Sequence, residues 1–391
     1  MQRIRAAKRK NLSDRAAETG FALLEIDGEP YWDETAYYGF TLEQIERDLE
    51  DPTTELAALC RELVSRAVGD ERILKQLQIP EIGWPIIADS WKRGDASLYG
   101  RFDFAYDGAG PAKLLEYNAD TPTALFEASV FQWLWLEDVK AAGSLSDGAD
   151  QFNSIHETLI DRLKEFRKAK GAPKMLHLSC DPASVEDAGL IDYLADCAVQ
   201  AGFETYELGL ADIGNSNKGA FVDLHDNPIK LLFKLYPWEW IFTDPFCKSP
   251  SMRETRFIEP AWKAILSNKG LLPLLWEMAP GHPNLLPACF EDDAAACAIL
   301  GNSYARKPIH SREGQNISLV RDGAVIDSET GSYGNAGYVR QALGTIPCFD
   351  GNYPVIGSWV VGDKACGIGI REDRSPITKN TSRFVPHAIL P

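Results

Sequence analysis

Arg101, Asp103, Glu116 and Asn118 are the side chains in this sequence whose types and spacing could do chemistry together. They sit in Arg101-Phe-Asp-Phe-Ala-Tyr106 and Lys113-Leu-Leu-Glu-Tyr-Asn118, on either side of Asp107-Gly-Ala-Gly-Pro-Ala112. The pattern predicts two antiparallel strands around a turn. Side chains alternate between faces along a strand, so Arg101 and Asp103 share one face while Phe102, Phe104 and Tyr106 share the other. One register satisfies both runs, with Arg101 opposite Asn118, Phe102 opposite Tyr117, Asp103 opposite Glu116 and Phe104 opposite Leu115. Two carboxylates facing each other across a ladder repel unless a cation lies between them. Hard oxygen ligands of this kind suit Mg²⁺, which keeps several waters and takes its remaining ligands from substrate phosphates. An arginine beside them could hold a phosphate or a developing oxyanion. The plainer reading, a solvated polar face on which Arg101 merely neutralises Asp103, stays open on these residues alone.

Two further groups have the right types. Lys307 lies inside an expected strand, Ser303-Tyr-Ala-Arg-Lys-Pro-Ile309, followed by the polar loop His310-Ser-Arg-Glu-Gly-Gln-Asn316 and a hairpin over residues 317–326 that turns at Asp322-Gly323. A lysine at the base of such a loop could meet a nucleotide's phosphates, although the pattern is not a Walker A motif. Glu186 and Asp187 follow Ser184 at the start of an expected helix reaching about Gln200. That helix lies between strands at 175–178 and 205–208, a βαβ unit. Ligands in open α/β sheets sit at the carboxyl ends of strands, so this acidic pair could face a cationic amine or could simply complement the helix dipole.

The elements that must position these groups are mostly legible as periodicity. Thr41 and Gln44 form a capping box. A helix starts at Pro52 and reaches about Val68 with Leu56, Leu59, Leu63 and Val64 as its stripe. Residues 124–142 read as a helix apolar nearly all round, including Phe131, Trp133 and Trp135, hence buried. Another helix covers about 154–168. Residues 219–223 and 229–236 read as a hairpin, and Pro260–Lys269 as a helix closed by Gly270. The last part is β-rich, with strands at 338–341, 355–361 and 365–370. No repeat or long linker separates these parts, so the domains are expected to interleave.

Composition narrows the class. The 391 residues are 45% hydrophobic and 10% aromatic with 10 Trp, which is a folded chain with ample core. A net charge of −17 disfavours nucleic-acid binding and suits a cationic partner. No apolar run is long enough to span a membrane, and the basic start lacks the apolar stretch of a secretory signal. The eight cysteines are scattered without a Cys-x-x-Cys pair and are expected to be reduced thiols in the cytoplasm. The six histidines make no zinc pattern.

At Arg101–Thr123, Asn268-Lys-Gly-Leu-Leu-Pro, Arg306-Lys-Pro-Ile and Gly369-Ile-Arg-Glu-Asp373 the chain resembles the synthetase part of glutathionylspermidine synthase, and within that family the stand-alone bacterial acid–amine ligases. The resemblance implies an α/β (α+β) ATP-grasp fold with mixed and antiparallel sheets, all 391 residues forming one synthetase module. Within it, residues of about 95–145 hold the metal-site hairpin and buried helix, about 170–245 a small pre-ATP-grasp-like domain, and about 260–391 the nucleotide-binding part with a lid around 303–326. It implies a ligase that joins a carboxylate to an amine through an acyl-phosphate, with ATP and two Mg²⁺ as cofactors. Small-molecule acid and amine are the expected partners. The oligomeric state is left open, with a homodimer as one arrangement.

Carried over by position, Asp103, Glu116 and Asn118 are implied as metal ligands and Arg101 and Arg371 as the arginines at the reaction centre. ATP is expected to meet Arg101, Phe102, Asp103, Lys269, Lys307, Glu313, Gly314, the hinge Gln341, Ala342, Leu343 and Gly344, and the segment Pro376, Ile377 and Thr378. Thr121, Glu186 and Asp187 are the implied substrate residues. Thr121 stands where the bifunctional synthases have serine, and Leu235 replaces a threonine of their pocket. The hinge also lacks the aromatic residue that ends it there. The resemblance implies a glutathione- or peptide-like acid and an amine for which a polyamine is one candidate, and these departures leave glutathione and spermidine themselves open. The rival class is a protein that keeps the fold and binds ATP without turnover.

Overall fold

The structure is a computed structural model that describes residues 1–216, 219–334 and 337–391. Its centre is a five-stranded antiparallel sheet in the order Arg383–Val385, Lys364–Asp373, Tyr353–Val361, Tyr99–Ala105, Lys113–Asn118. Strands from residues 99–118 and from 353–385 thus share one sheet.

The hairpin register is Arg101 to Asn118, Phe102 to Tyr117 and Asp103 to Glu116, as the alternation predicts. Beyond Asp103 a bulge shifts the pairing, and Phe104 meets Leu114 instead of Leu115. Bulges beside functional groups re-aim side chains. On the apolar face Phe102 stacks on Tyr117 with ring centroids 3.8 Å apart. The helix Asp51–Ala67 lies against this sheet and buries Leu56, Cys60, Leu63 and Val64. Its upstream capping box between Thr41 and Gln44 is present.

Among the described residues five other sheets accompany the centre, two of them two-stranded ribbons and three larger. Arg256–Ile258, Leu231–Lys234, Met175–Cys180 and Glu204–Gly209 form a parallel sheet, with the helix Val185–Gln200 crossing between its last two strands. Ala288–Phe290, Tyr338–Ala342, Tyr304–Pro308, Ser318–Arg321 and Ala324–Ser328 form an antiparallel one. Gln2–Arg5, Ala36–Phe40 and His387–Ile389 bring the two ends of the chain together.

Several expectations need correction. Leu231–Lys234 is not the return strand of a hairpin with 219–223. It is buried on both sides between parallel neighbours, and its apolar run suits that position. Pro260–Lys269 is not one helix closed by Gly270. Ala261–Ile265 is a short 3-10 turn, and Gly270, with φ −62°, precedes the helix Leu271–Met278. The break arises because Lys269 N donates to Ile309 O at 2.8 Å while Asn268 Oδ1 accepts from Gly270 N at 2.9 Å. The aromatic helix is a π-turn, Glu127–Phe131, leading into Gln132–Ala141. Trp135, Leu136 and Val139 face the core there and Trp133 is exposed, because one stripe of the helix suffices to cover the sheet. Cys289 and Cys297 are not both thiols; they are joined as a disulfide, with Cα atoms 5.4 Å apart. The other six cysteines are free. No helix among the described residues is long and apolar enough to cross a membrane.

Candidate active site

The polar face of the hairpin is a dense ionic cluster, not a solvated surface. Arg101 and Asp103 are 5% and 3% exposed. The guanidinium grips the carboxylate with both branches, Nε to Oδ1 at 2.7 Å and Nη2 to Oδ2 at 3.0 Å, and Nη1 donates to Thr123 O at 2.6 Å. Gly357 on the adjacent strand makes room for this, since a Cβ there would come 2.6 Å from Arg101 Cδ. Arg371 Nη2 reaches Asp103 Oδ2 at 3.3 Å from the next strand over. Burial and the neighbouring Arg101 lower the affinity of Arg371 for its proton. Two cations crowding one carboxylate leave the centre ready for further anionic charge.

Glu116 sits across the ladder. Asn118 Nδ2 bridges the two acids, 3.1 Å from Asp103 Oδ2 and 3.3 Å from Glu116 Oε1. Lys269 Nζ lies 3.1 Å from Glu116 Oε2 and donates to Ser311 O at 2.8 Å. Burial opposes the ionisation of Glu116, but Lys269 and Lys307 outweigh it and hold the carboxyl below its usual range. Lys307 is itself pushed down to about 8, first by burial and then by Lys269 against the pull of Glu116. Its Nζ donates to Leu115 O at 2.8 Å and Gln341 Oε1 at 2.7 Å, and Gln341 Nε2 donates to Leu114 O at 2.9 Å. Two carboxylates and an amide within hydrogen-bond reach of one another make a hard-oxygen donor set that fits Mg²⁺ once the amide turns its oxygen inward. Among the described residues no three His, Cys, Asp or Glu side chains come together as a metal site, and Asn118 is the third oxygen-bearing side chain beside Asp103 and Glu116.

The cluster opens onto a cavity of about 490 Å³ between the central sheet and the antiparallel sheet that carries Lys307 and Gln341. Asp103, Glu116, Lys307, Gly314, Gln341, Ala342, Leu343, Gly344, Pro376, Ile377 and Thr378 all line it. Its size is that of a ligand pocket. Gly314, at φ +72°, belongs to the loop over the cavity; a Cβ there would lie 2.5 Å from Thr378 O, so only glycine permits this approach. Glu313 lies beside it, exposed and also at positive φ. The ring of Phe102 is taken into the core, on the face turned away from the cavity.

A second, narrower opening is lined by Glu116, Asn118, Asp120, Thr121, Glu239, Lys269 and Arg312. Arg312, from the loop after Tyr304–Pro308, donates to Thr121 Oγ1 and Glu239 Oε1 at 2.8 Å each, and ties that loop to two other parts of the chain. Asp120 is buried against Lys234 at 2.5 Å and accepts from Trp238 N at 2.9 Å. It fixes the turn after Asn118 to the parallel sheet and to the start of Glu239's helix. Removing one partner of a buried pair strands the other charge. Asp120→Ala is therefore expected to cost about 3–5 kcal/mol in denaturant unfolding, and Asp120→Asn combined with Lys234→Met considerably less. Equal losses in both would show that the cost does not come from a stranded Lys234 charge.

Glu186 and Asp187 begin the helix Val185–Gln200, and Ser184 Oγ caps it by accepting from Asp187 N at 3.2 Å. Both acids are nevertheless raised above the usual carboxylate range. Burial raises Glu186, and burial followed by Glu186 pushes Asp187 up to about 6. Glu186 lines a third cavity of about 290 Å³ together with Thr123, Ala124 and Glu127. Arg312, Glu239, Asp120 and Lys234 are site residues that the sequence reading missed. Lys234 had a signal, a charge inside the apolar run Leu-Leu-Phe-Lys-Leu. The others lie in segments whose polarity reads as ordinary surface.

A family model described as glutathionylspermidine synthase preATP-grasp matches residues 3–390, and the chain belongs to that family. It is 45% identical over 381 residues to a Haemophilus influenzae protein described as a "putative acid–amine ligase", covering 95% of this chain and 94% of that one. It is 30% identical over 387 residues to the bifunctional glutathionylspermidine synthetase/amidase of Escherichia coli, covering 92% of this chain and 60% of the other. It is 30% identical over 357 residues to trypanothione synthetase of Crithidia fasciculata, covering 85% and 53%. The chain thus spans little more than half the length of these two. A glutathione synthetase-like effector from Globodera pallida, 13% identical, superposes with a TM-score of 0.59 over 97% of this chain and 96% of its own, a likeness of fold alone. The fold is ATP-grasp, and the protein is an ATP-binding ligase that forms carbon–nitrogen bonds.

Proposed function

We propose that the protein joins the carboxylate of a small glutathione- or peptide-like acid to a cationic amine, activating the acid as an acyl-phosphate at the expense of ATP. The observation that carries this reading is the convergence of Arg101, Arg371, Asn118 and Lys269 on Asp103 and Glu116, which together with Lys307 line the 490 Å³ cavity. Amide formation from a free carboxylate is uphill in water, and phosphorylation supplies a good leaving group. Nearly all the protein must then do is position and neutralise charge.

In this reading the hinge Gln341–Gly344 and Pro376–Thr378 hold the nucleotide, with Lys307 and Lys269 on its phosphates and Gly314 in the loop above. Asp103, Glu116 and Asn118 would hold Mg²⁺, two ions by analogy with the family, and bound metal supplies neutralisation of the phosphates. Arg101 and Arg371 face the transferring group. Thr121, held by Arg312, borders the acid's side, and Glu186 and Asp187 border the amine's. The domain division follows the same lines, with the parallel sheet contributing the amine end. ADP release that requires both an acid and an amine tests the reading; glutathione and spermidine are the first probes because relatives' names point to them. ATP binding with no pair-dependent release would favour a non-catalytic binder.

The acidic pair gives a pH prediction. An acid raised to about 6 is neutral below that pH and anionic above it. The KM for a polycationic amine should fall several-fold between pH 5 and 7 and then level, and Asp187→Asn should flatten the change. A KM that is independent of pH in the parent protein would remove Asp187 from the amine's path.

A further inference from the structure

The amine that attacks an acyl-phosphate must first lose a proton, and nothing in the cluster of Arg101, Asp103 and Glu116 is free to take it. We infer that Glu127, at the floor of the 290 Å³ cavity, is the general base that deprotonates the attacking ammonium. This rests on the ligase reading above and names a residue for a step which that reading leaves without one.

The geometry is specific. Glu127 opens the π-turn Glu127–Phe131, only 3% exposed, and accepts from Tyr31 OH through Oε1 at 2.8 Å. Glu186 and Thr123 line the same cavity, whose apolar wall includes Leu125, Phe126 and Leu190. Ala124 stands between this cavity and the reaction centre. It lines the 290 Å³ cavity on one side and, on the other, a small gap bounded by Arg101, Asp103 and Arg371. Ala124 holds a left-handed φ of +64°, uncommon for a residue with a Cβ, and Thr123 O next to it accepts from Arg101 Nη1. The chain is bent at the one place where an amine lying in the cavity would meet an acyl group held at Arg101.

The charged and titratable groups facing Glu127 are Tyr31, Glu186 and Arg101, with Arg371 and Glu313 acting on Glu186 behind it. Burial, then the charge of Glu186, pushes the Glu127 carboxyl up to about 7, against the opposing pulls of Tyr31 and Arg101. A base poised near the working pH is the most effective one. In the step itself, Glu127 takes one proton from the ammonium, and the freed nitrogen pair forms the C–N bond. The C–O bond to phosphate breaks, and phosphate leaves with its electron pair and the second nitrogen proton.

Hydroxylamine separates this role from a structural one. It is uncharged at neutral pH, needs no base and traps acyl-phosphates as hydroxamates. With Mg²⁺, ATP and each of a panel of acids including glutathione, Glu127→Gln should form hydroxamate at close to the parent rate while spermidine-dependent amide formation falls about 10²–10⁴-fold. The parent's kcat with spermidine should rise through about pH 7 and the variant's should not. Tyr31→Phe removes the hydrogen bond and keeps the base, so it should retain spermidine turnover within a few-fold. Equal loss of both reactions in Glu127→Gln, or equal loss in Tyr31→Phe, would make Glu127 a structural acid and overturn the assignment. Absence of hydroxamate from the parent with every acid would overturn the ligase reading and this inference with it. Hydroxamate from the parent with unchanged spermidine kinetics in Glu127→Gln would overturn the base alone.

Discussion

Glu116→Gln is expected to lower kcat for amide-coupled ATP turnover by about two to three orders of magnitude at saturating Mg²⁺, the usual loss when a group that stabilises transition-state charge is removed. The substitution keeps the shape of the side chain and removes the anion that faces Asp103 across the ladder. Glu116 is the better of the two acids to test. Its side chain is 27% exposed, whereas Asp103 is buried beneath Arg101 and Arg371. Asp103→Asn should show a similar kinetic loss together with reduced stability, because it leaves Arg101 buried with a neutral partner. Circular dichroism and a thermal melt distinguish the two effects. Parent-like kcat in a folded Glu116→Gln would take this residue out of the metal set.

Lys269→Ala should lower kcat/KM for ATP by about 10²–10³, the range seen when one preorganised donor is lost. Lys269 connects Glu116 to Ser311 at the base of the loop, so its removal takes a cation from the phosphates and frees the loop at once. It also relieves Lys307, which Lys269 pushes down, so the remaining lysine should hold its proton to higher pH. Titration calorimetry with a non-hydrolysable ATP analogue gives the binding part and steady-state kinetics the rest. Lys269→Arg, which keeps the charge, should recover part of the loss. An alanine variant with unchanged ATP kinetics would place the phosphates elsewhere.

The parts of this site legible in the sequence are those set by local alternation. Arg101, Asp103, Glu116 and Asn118 share a face because strands alternate, and the turn between them fixes which residues meet. The register differs only past Asp103, where a bulge pairs Phe104 with Leu114. Helix starts with a side-chain cap, such as Thr41 and Ser184, were legible for the same local reason. Long-range pairs were not. Nothing near Asp120 announces Lys234, and nothing near Arg312 announces Glu239, since those partners meet only after the sheets assemble. The Pro260–Gly270 segment was misread because Lys-Gly after an apolar run imitates a helix end. Here, a long-range hydrogen bond from Lys269 N to Ile309 O and a local one from Gly270 N to Asn268 Oδ1 override it. The bridge between Cys289 and Cys297 likewise follows from how Ala288–Phe290 is placed, which no cysteine spacing reports.

The central claim is that the acid passes through an acyl-phosphate held by Arg101 and Arg371. The most direct test supplies the acid that best supports ADP release with both carboxylate oxygens isotopically heavy, together with ATP, Mg²⁺ and the amine. Mass spectrometry of the released phosphate should show one heavy oxygen per amide formed. Phosphate free of label, or label appearing in AMP, would contradict the account.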